Sequence, residues 1–257
     1  MTYPQMDDSG QNTEENASHM KGIPIFYEKP EILDPERHRG LGLRDSGSFL
    51  FAAASNAIPV NASEFPLASR DYPIVFIGEQ EINSVAIVGL RKDENLMIDS
   101  NGHWAKGTYI PAYVRRYPFI FVRQEGGSQY ALCIDRASTR IATDTGNMFF
   151  EGVEKTQTSE KAMEFCTLFQ RHYLITETII KQFCDLDLLA PKQIQFTLSN
   201  DQTLTLKDFK VIDEKRLREL SDDDFLSLRK TGALAAAYCH LVSLNSWQNL
   251  SGRIEPA

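Results

Sequence analysis

A twelve-residue stretch of this chain returns, without a gap, forty-five residues further on. Pro66-Leu-Ala-Ser-Arg-Asp-Tyr-Pro-Ile-Val-Phe-Ile77 lies over Pro111-Ala-Tyr-Val-Arg-Arg-Tyr-Pro-Phe-Ile-Phe-Val122. Five columns are identical: Pro66/Pro111, Arg70/Arg115, Tyr72/Tyr117, Pro73/Pro118 and Phe76/Phe121. In each copy a proline suited to the first turn of a helix opens a short segment, and a second proline closes it. The tyrosine before that second proline is pushed towards extended geometry. The apolar run that follows is too short for a core helix and rich in β-formers, so it predicts a mostly buried strand. At the same offset, Ser84-Val-Ala-Ile-Val-Gly-Leu90 lies over Gln129-Tyr-Ala-Leu-Cys-Ile-Asp135. Each unit therefore reads as a helical turn feeding a β-hairpin. One such hairpin cannot bury its apolar face alone, and the expectation is that two stacked copies do so.

At 257 residues the chain is long enough for a sizeable core. A formal charge of −8 with dispersed Lys and Arg opposes a phosphate-binding surface, so no nucleic-acid partner is expected. Cys133, Cys166, Cys184 and Cys239 stand far apart, which fits reduced thiols rather than a disulfide framework or a zinc knuckle. Residues 1–22 are polar and acidic without an apolar centre, and predict a disordered tail rather than a secretory signal. Residues 232–244 are too few for a membrane span, and His240 lies among them, so they read as a core helix. No transmembrane segment is expected.

Around the repeats, residues 23–44 read as an extended arm punctuated by Pro30 and Pro35, and residues 48–54 as a strand. Asn61 or Ser63 is placed to cap the first helical turn. Asp99-Ser-Asn-Gly102 between apolar runs predicts a hairpin turn, and Gly126-Gly127 the loop of the second repeat. From Ser159, which is placed as a cap, Phe165, Phe169, Tyr173, Thr176, Ile180 and Phe183 share one face of a long helix, with Met163, Leu168, Ile175, Ile179 and Leu186 widening it. Pro191 ends it. Residues 193–198 and 203–206 alternate as a hairpin around residues 199–202, and Phe209 and Val211 suggest one more strand. Helices follow from Asp213 and again from Ser221, where Asp224 makes a capping box. Leu228, Leu234, Tyr238, Leu241 and Trp247 supply the apolar side, and Gly232 is placed to kink the helix.

The best candidates for a ligand site are Arg70, Tyr72, Arg115 and Tyr117, with Glu64 nearby. A repeated Arg-x-Tyr-Pro supplies two guanidinium forks and two phenols, suited to a carboxylate or phosphate. The competing structural reading has each tyrosine satisfying a backbone carbonyl at a corner and each arginine pairing with an acid such as Glu64 or Asp71. No HxH, HxxxH or HxD spacing occurs, and His103 beside Asp99 sits in a turn that uses Asp and Asn for backbone reasons, so no metal site is expected. Cys239-His240 points to two sides of a helix and makes a poor nucleophile and base. Neither GxSxG, a Walker loop nor GxGxxG occurs, so no cofactor is expected and no catalytic residue is named.

Taken together, Phe26-Tyr-Glu-Lys-Pro30, Asp34-Pro-Glu-Arg-His-Arg39, residues 61–65, Arg70-Asp-Tyr-Pro-Ile-Val-Phe76, Tyr113-Val-Arg-Arg-Tyr-Pro-Phe119 and residues 232–250 resemble the bacterial SapC-like family. The resemblance runs from about residue 23 to residue 250. It implies a role with the paracrystalline surface layer of some bacteria and brings no established active site to transfer.

The expectation is an α+β fold whose β-rich portion, residues 23–150, is built on two tandem helix-turn and β-hairpin repeats. It packs with a long helix, a further hairpin and C-terminal helices in residues 151–257, as one continuous globular unit. The expected function is a non-catalytic accessory or binding role in a bacterial cell-surface system, with a protein or peptide partner. The alternative is an enzyme or small-ligand sensor for an acidic metabolite or peptide, using the Arg70/Arg115 region. Absence of a signal peptide predicts the cytoplasm, with leaderless export to the cell surface as the alternative. Oligomeric state is not set by the sequence.

Overall fold

In a computed structural model of the chain, which describes residues 5–6, 24–124, 129–197 and 203–254, the fold is α+β. It divides into two compact units, each drawn from two stretches. The first takes Met1–Gly47 and Arg116–Gln170, and the second Ser48–Arg115 and Arg171–Ala257. Residues 23–150 and 151–257 each contribute to both. Apart from Gln5–Met6, the proposed tail lies outside the described residues.

The first unit is organised by the hairpin Phe119–Gln124 and Tyr130–Asp135, flanked antiparallel by Pro30–Ile32 and parallel by Gln5–Met6. Its β-branched and aromatic side chains close a core of Phe119, Phe121, Leu132 and Ile134 against Phe149, Phe150, Ala162 and Cys166. The last two stand on the first half of the long helix Gln157–Asp185. Ser159 does not cap this helix. It lies in the first turn, buried, and its hydroxyl donates to the Phe149 carbonyl at 2.7 Å. Burial also pushes the Cys133 and Cys166 thiols up to about 12.

In the second unit the sheet runs in the order Leu189–Thr197, Thr203–Ile212, Ile74–Ile77, Asn83–Ile87, Ala57–Pro59, every pair antiparallel. Phe209 and Val211 extend Thr203–Ile212 rather than forming a separate strand, because a register shift at Lys192/Ile194 lets the pairing continue. The turn at residues 198–202 and the Gly126-Gly127 loop lie outside the described residues. Residues 48–54 are not a strand: Leu50–Ala52 form a 3-10 turn, the local alternative open to a short apolar run rich in alanine. The Asp99 turn carries a single bridge, Ile98 with Trp104, rather than two strands.

The two hairpins do not join one sheet. Each belongs to its own unit. Their strands also differ in pairing: Ile74 stands opposite Ala86, whereas Phe119 stands opposite Ile134, not opposite Ala131 as a constant offset requires. An odd slip exchanges the faces on which side chains emerge, so the second strands do not correspond position by position.

C-terminal helices Asp222–Thr231 and Ala233–Ser243 are separate elements divided by Gly232. Gly232 takes φ +84°, a left-handed geometry that ends the first helix and that glycine adopts without Cβ strain. Ser221 caps the start by accepting the Asp224 N–H, and its hydroxyl donates to the Asp224 carboxylate, so the reciprocal bond of a full capping box is replaced. The second helix is pinned to the sheet twice. The Ser243 hydroxyl accepts from the Ile74 N–H at 2.9 Å, and His240 Nε2 accepts from the Ile212 N–H at 3.0 Å. Trp247 is buried beneath the sheet against Phe196 and Phe209. Tyr238, expected on the apolar inner side, is exposed, as are Leu168 and Ile175 of the long helix.

Candidate functional site

Three of the five candidate residues, Glu64, Tyr72 and Arg115, bond to a residue outside the candidate set, Tyr109. In the second unit, Glu64 ends the 3-10 turn Ala62–Glu64 and is buried. Its carboxylate reaches back to the Asn61 N–H at 2.9 Å, which satisfies a donor at the start of the turn. The other oxygen accepts from the Ala112 N–H at 2.6 Å and from the Tyr109 hydroxyl at 3.0 Å. Arg115 sits on the short helix Ala112–Arg116, exposed, and donates to the Tyr109 hydroxyl at 3.1 Å and to the Ile110 carbonyl at 3.0 Å. Desolvation, followed by the neighbouring Glu64 charge, pushes the Tyr109 phenol up to about 12.

The first repeat grips the same residue by its backbone. Asp71 accepts the Tyr109 N–H at 2.8 Å, and the Tyr72 hydroxyl donates to the Tyr109 carbonyl. Tyr72 is fully buried and its oxygen also accepts the Trp104 indole N–H at 3.1 Å. Desolvation leads in raising its phenol to about 12. Arg70 is exposed and stands 3.9 Å from the Asp71 carboxylate. The arrangement thus holds a loop between Asp71, Tyr72 and Glu64 and presents Arg70 and Arg115 to solvent.

Tyr117 belongs to the first unit and serves a different centre. Its hydroxyl donates at 3.0 Å to Asp135, which is wholly buried. That carboxylate also accepts the N–H groups of Glu28, Lys29 and Ala137 at 3.2, 2.8 and 3.2 Å. Arg140 donates to the Tyr117 carbonyl at 2.7 Å, and desolvation lowers its guanidinium pKa. Arg116, next to Arg115, is buried with its guanidinium 4.3 Å from the Phe169 ring centre, a cation–π geometry. Sequence reasoning missed Tyr109 and Asp135. The legible signals were an amphipathic side chain in a loop just ahead of Pro111, and a carboxylate closing an otherwise apolar strand.

His103 and Asp99 approach to 3.4 Å in the exposed turn. Among the described residues no group of three or more His, Cys, Asp or Glu side chains is placed to hold a metal ion. None of the described helices is long and apolar enough to cross a membrane.

The family model for SapC matches residues 33–250 of the chain. The chain belongs to the SapC family. Comparison with curated proteins and with solved structures finds no match. In this SapC family member the match spans both centres, the Tyr109 loop and the Asp135 carboxylate.

Proposed function

We propose that this SapC family member is a non-catalytic binding or accessory protein of a bacterial cell-surface system, acting through contacts with a protein or peptide. One observation carries the reading: the tyrosines of both Arg-x-Tyr-Pro segments, and Glu64 beside the first, are already engaged in holding the fold. Glu64 accepts from Asn61, Tyr109 and Ala112, Tyr72 is engaged with Tyr109 and Trp104, and Tyr117 donates to Asp135. Phenols raised to about 12 stay protonated near neutral pH and are poor bases. The surface-layer association comes from the family resemblance. Quantitative affinity capture, after mild cross-linking in envelope preparations of a bacterium that encodes the chain, tests it. The expected result is reproducible enrichment of an envelope protein that then binds the purified chain. Absence of any such protein across repeated captures sinks the proposal.

A second reading is favoured by two exposed guanidinium groups, Arg115 bonded to Tyr109 and Arg70 beside Asp71: a site for a small acidic ligand. It requires that an organic acid or acidic peptide raise the thermal midpoint, and that Arg70→Ala and Arg115→Ala each abolish the shift while leaving the unliganded midpoint in place. A flat response across a panel of such acids removes it.

A further inference from the structure

The helix Ala233–Ser243 has an outward stripe that is left open among the described residues. Ala235, Tyr238, Cys239 and Val242 follow the i, i+3, i+4, i+7 spacing of one helical face. Tyr238 is 49% exposed and Val242 59%, Ala235 is exposed, and Cys239 is half-buried. On the opposite side, Ala236, Ala237, His240 and Ser243 are buried, and the bonds from Ile74 and Ile212 to Ser243 and His240 fix the helix against the sheet. The stripe is therefore presented on a rigid support, which lowers the ordering cost of covering it.

What can cover it follows from charge. From Thr231 to Gly252 the sequence contains no Asp, Glu, Lys or Arg, in a chain whose formal charge is −8. Two copies of an acidic chain repel at most approaches, and a charge-free face is where they meet without that penalty. A partner recognised by charge would find no Asp, Glu, Lys or Arg on this helix to read. The stripe is also complementary to itself. An antiparallel pair of these helices, with the two-fold axis passing between Tyr238 and Cys239, sets each Ala235 opposite the other copy's Val242. Small then meets large, and Tyr238 lies across the axis beside Cys239.

We propose that this face is an isologous contact between two copies of the chain. A single helix pair buries less than the ~800 Å² per partner of a standard interface, so the dimer forms and dissociates with concentration. This goes beyond the accessory reading and does not rest on it.

Sedimentation equilibrium over a wide concentration range is the test. The wild-type mass rises towards twice that of the chain, and Tyr238→Glu and Val242→Glu each abolish the rise with far-ultraviolet circular dichroism unchanged. A second measurement avoids dependence on those variants. In a Cys184→Ser background, which removes the exposed thiol, a short bismaleimide joins Cys239 to Cys239 in a covalent dimer that dilution suppresses. A wild-type chain that stays monomeric throughout overturns the proposal, as does a dimer that survives Val242→Glu or a failure of Cys239 to cross-link.

Discussion

Tyr72 and Tyr117 occupy the same column of the repeated stretch, each followed by proline, yet they anchor different kinds of network. Tyr72 closes a neutral link between the Tyr109 carbonyl and the Trp104 indole. Tyr117 donates a hydrogen bond to a wholly buried carboxylate that also gathers three backbone N–H groups. The partner arriving from elsewhere in the chain therefore sets the electrostatics of each tyrosine, whatever the local sequence the two share. The energetic stakes differ accordingly, because removing a buried charge strands several donors at once.

That contrast is broken most severely at Asp135. Asp135→Ala leaves the Tyr117 hydroxyl and the N–H groups of Glu28, Lys29 and Ala137 without their acceptor, and is expected to cost about 3–5 kcal/mol in urea denaturation. Tyr72→Phe keeps the ring and removes one hydroxyl. Its expected cost is about 1–3 kcal/mol, from the Trp104 N–H and the Tyr109 carbonyl left behind. If the two costs come out equal, the distinction between a charged and a neutral anchor fails.

Acid sharpens the comparison from another side. Burial depresses His240 from 6.5 to about 4, so the folded second unit binds fewer protons than the unfolded chain between these values. Its stabilising contribution is complete above pH 6.5 and is lost as pH falls through about 4. The thermal midpoint should decline over that window, and the decline should flatten in His240→Gln. A slope unchanged by that substitution would place the acid sensitivity elsewhere. The smallest effect belongs to the arginines of the repeat. Arg70→Ala and Arg115→Ala, both at exposed positions, should each change stability by about 0.5 kcal/mol or less in the same denaturation assay.

How far the sequence could be read follows from what each signal measures. Ile74–Ile77 and Phe119–Gln124 were legible because an apolar β-branched run bounded by proline has one economical conformation. The long helix was legible from its period, though its span begins ahead of Ser159. Periodicity records side-chain type and is blind to whether a neighbour exists, which is why Leu168, Ile175 and Tyr238 read as core and stand exposed. The sequence singles out Tyr72, Arg115 and Glu64, but not the residue that joins them. Tyr109 acquires its role only when the loop folds back over Asp71 and Glu64, a contact of long sequence separation that no local pattern encodes. Tyr117 bonds instead to Asp135, a partner eighteen residues on that the repeat does not share.

The division into two compact units also bears on how the chain is made. The ribosome releases residues in order, so Ser48–Arg115 emerges early and must wait for Arg171–Ala257 before its unit can close. Meanwhile Met1–Gly47 finds its partner stretch sooner, once Gln170 has left the exit tunnel. The unit nearer completion is thus the one containing Asp135, and the half-made sheet of the other spends that interval with the outer edge of Ile74–Ile77, later paired by Thr203–Ile212, uncovered. During synthesis, the second unit is where a chaperone has something to hold.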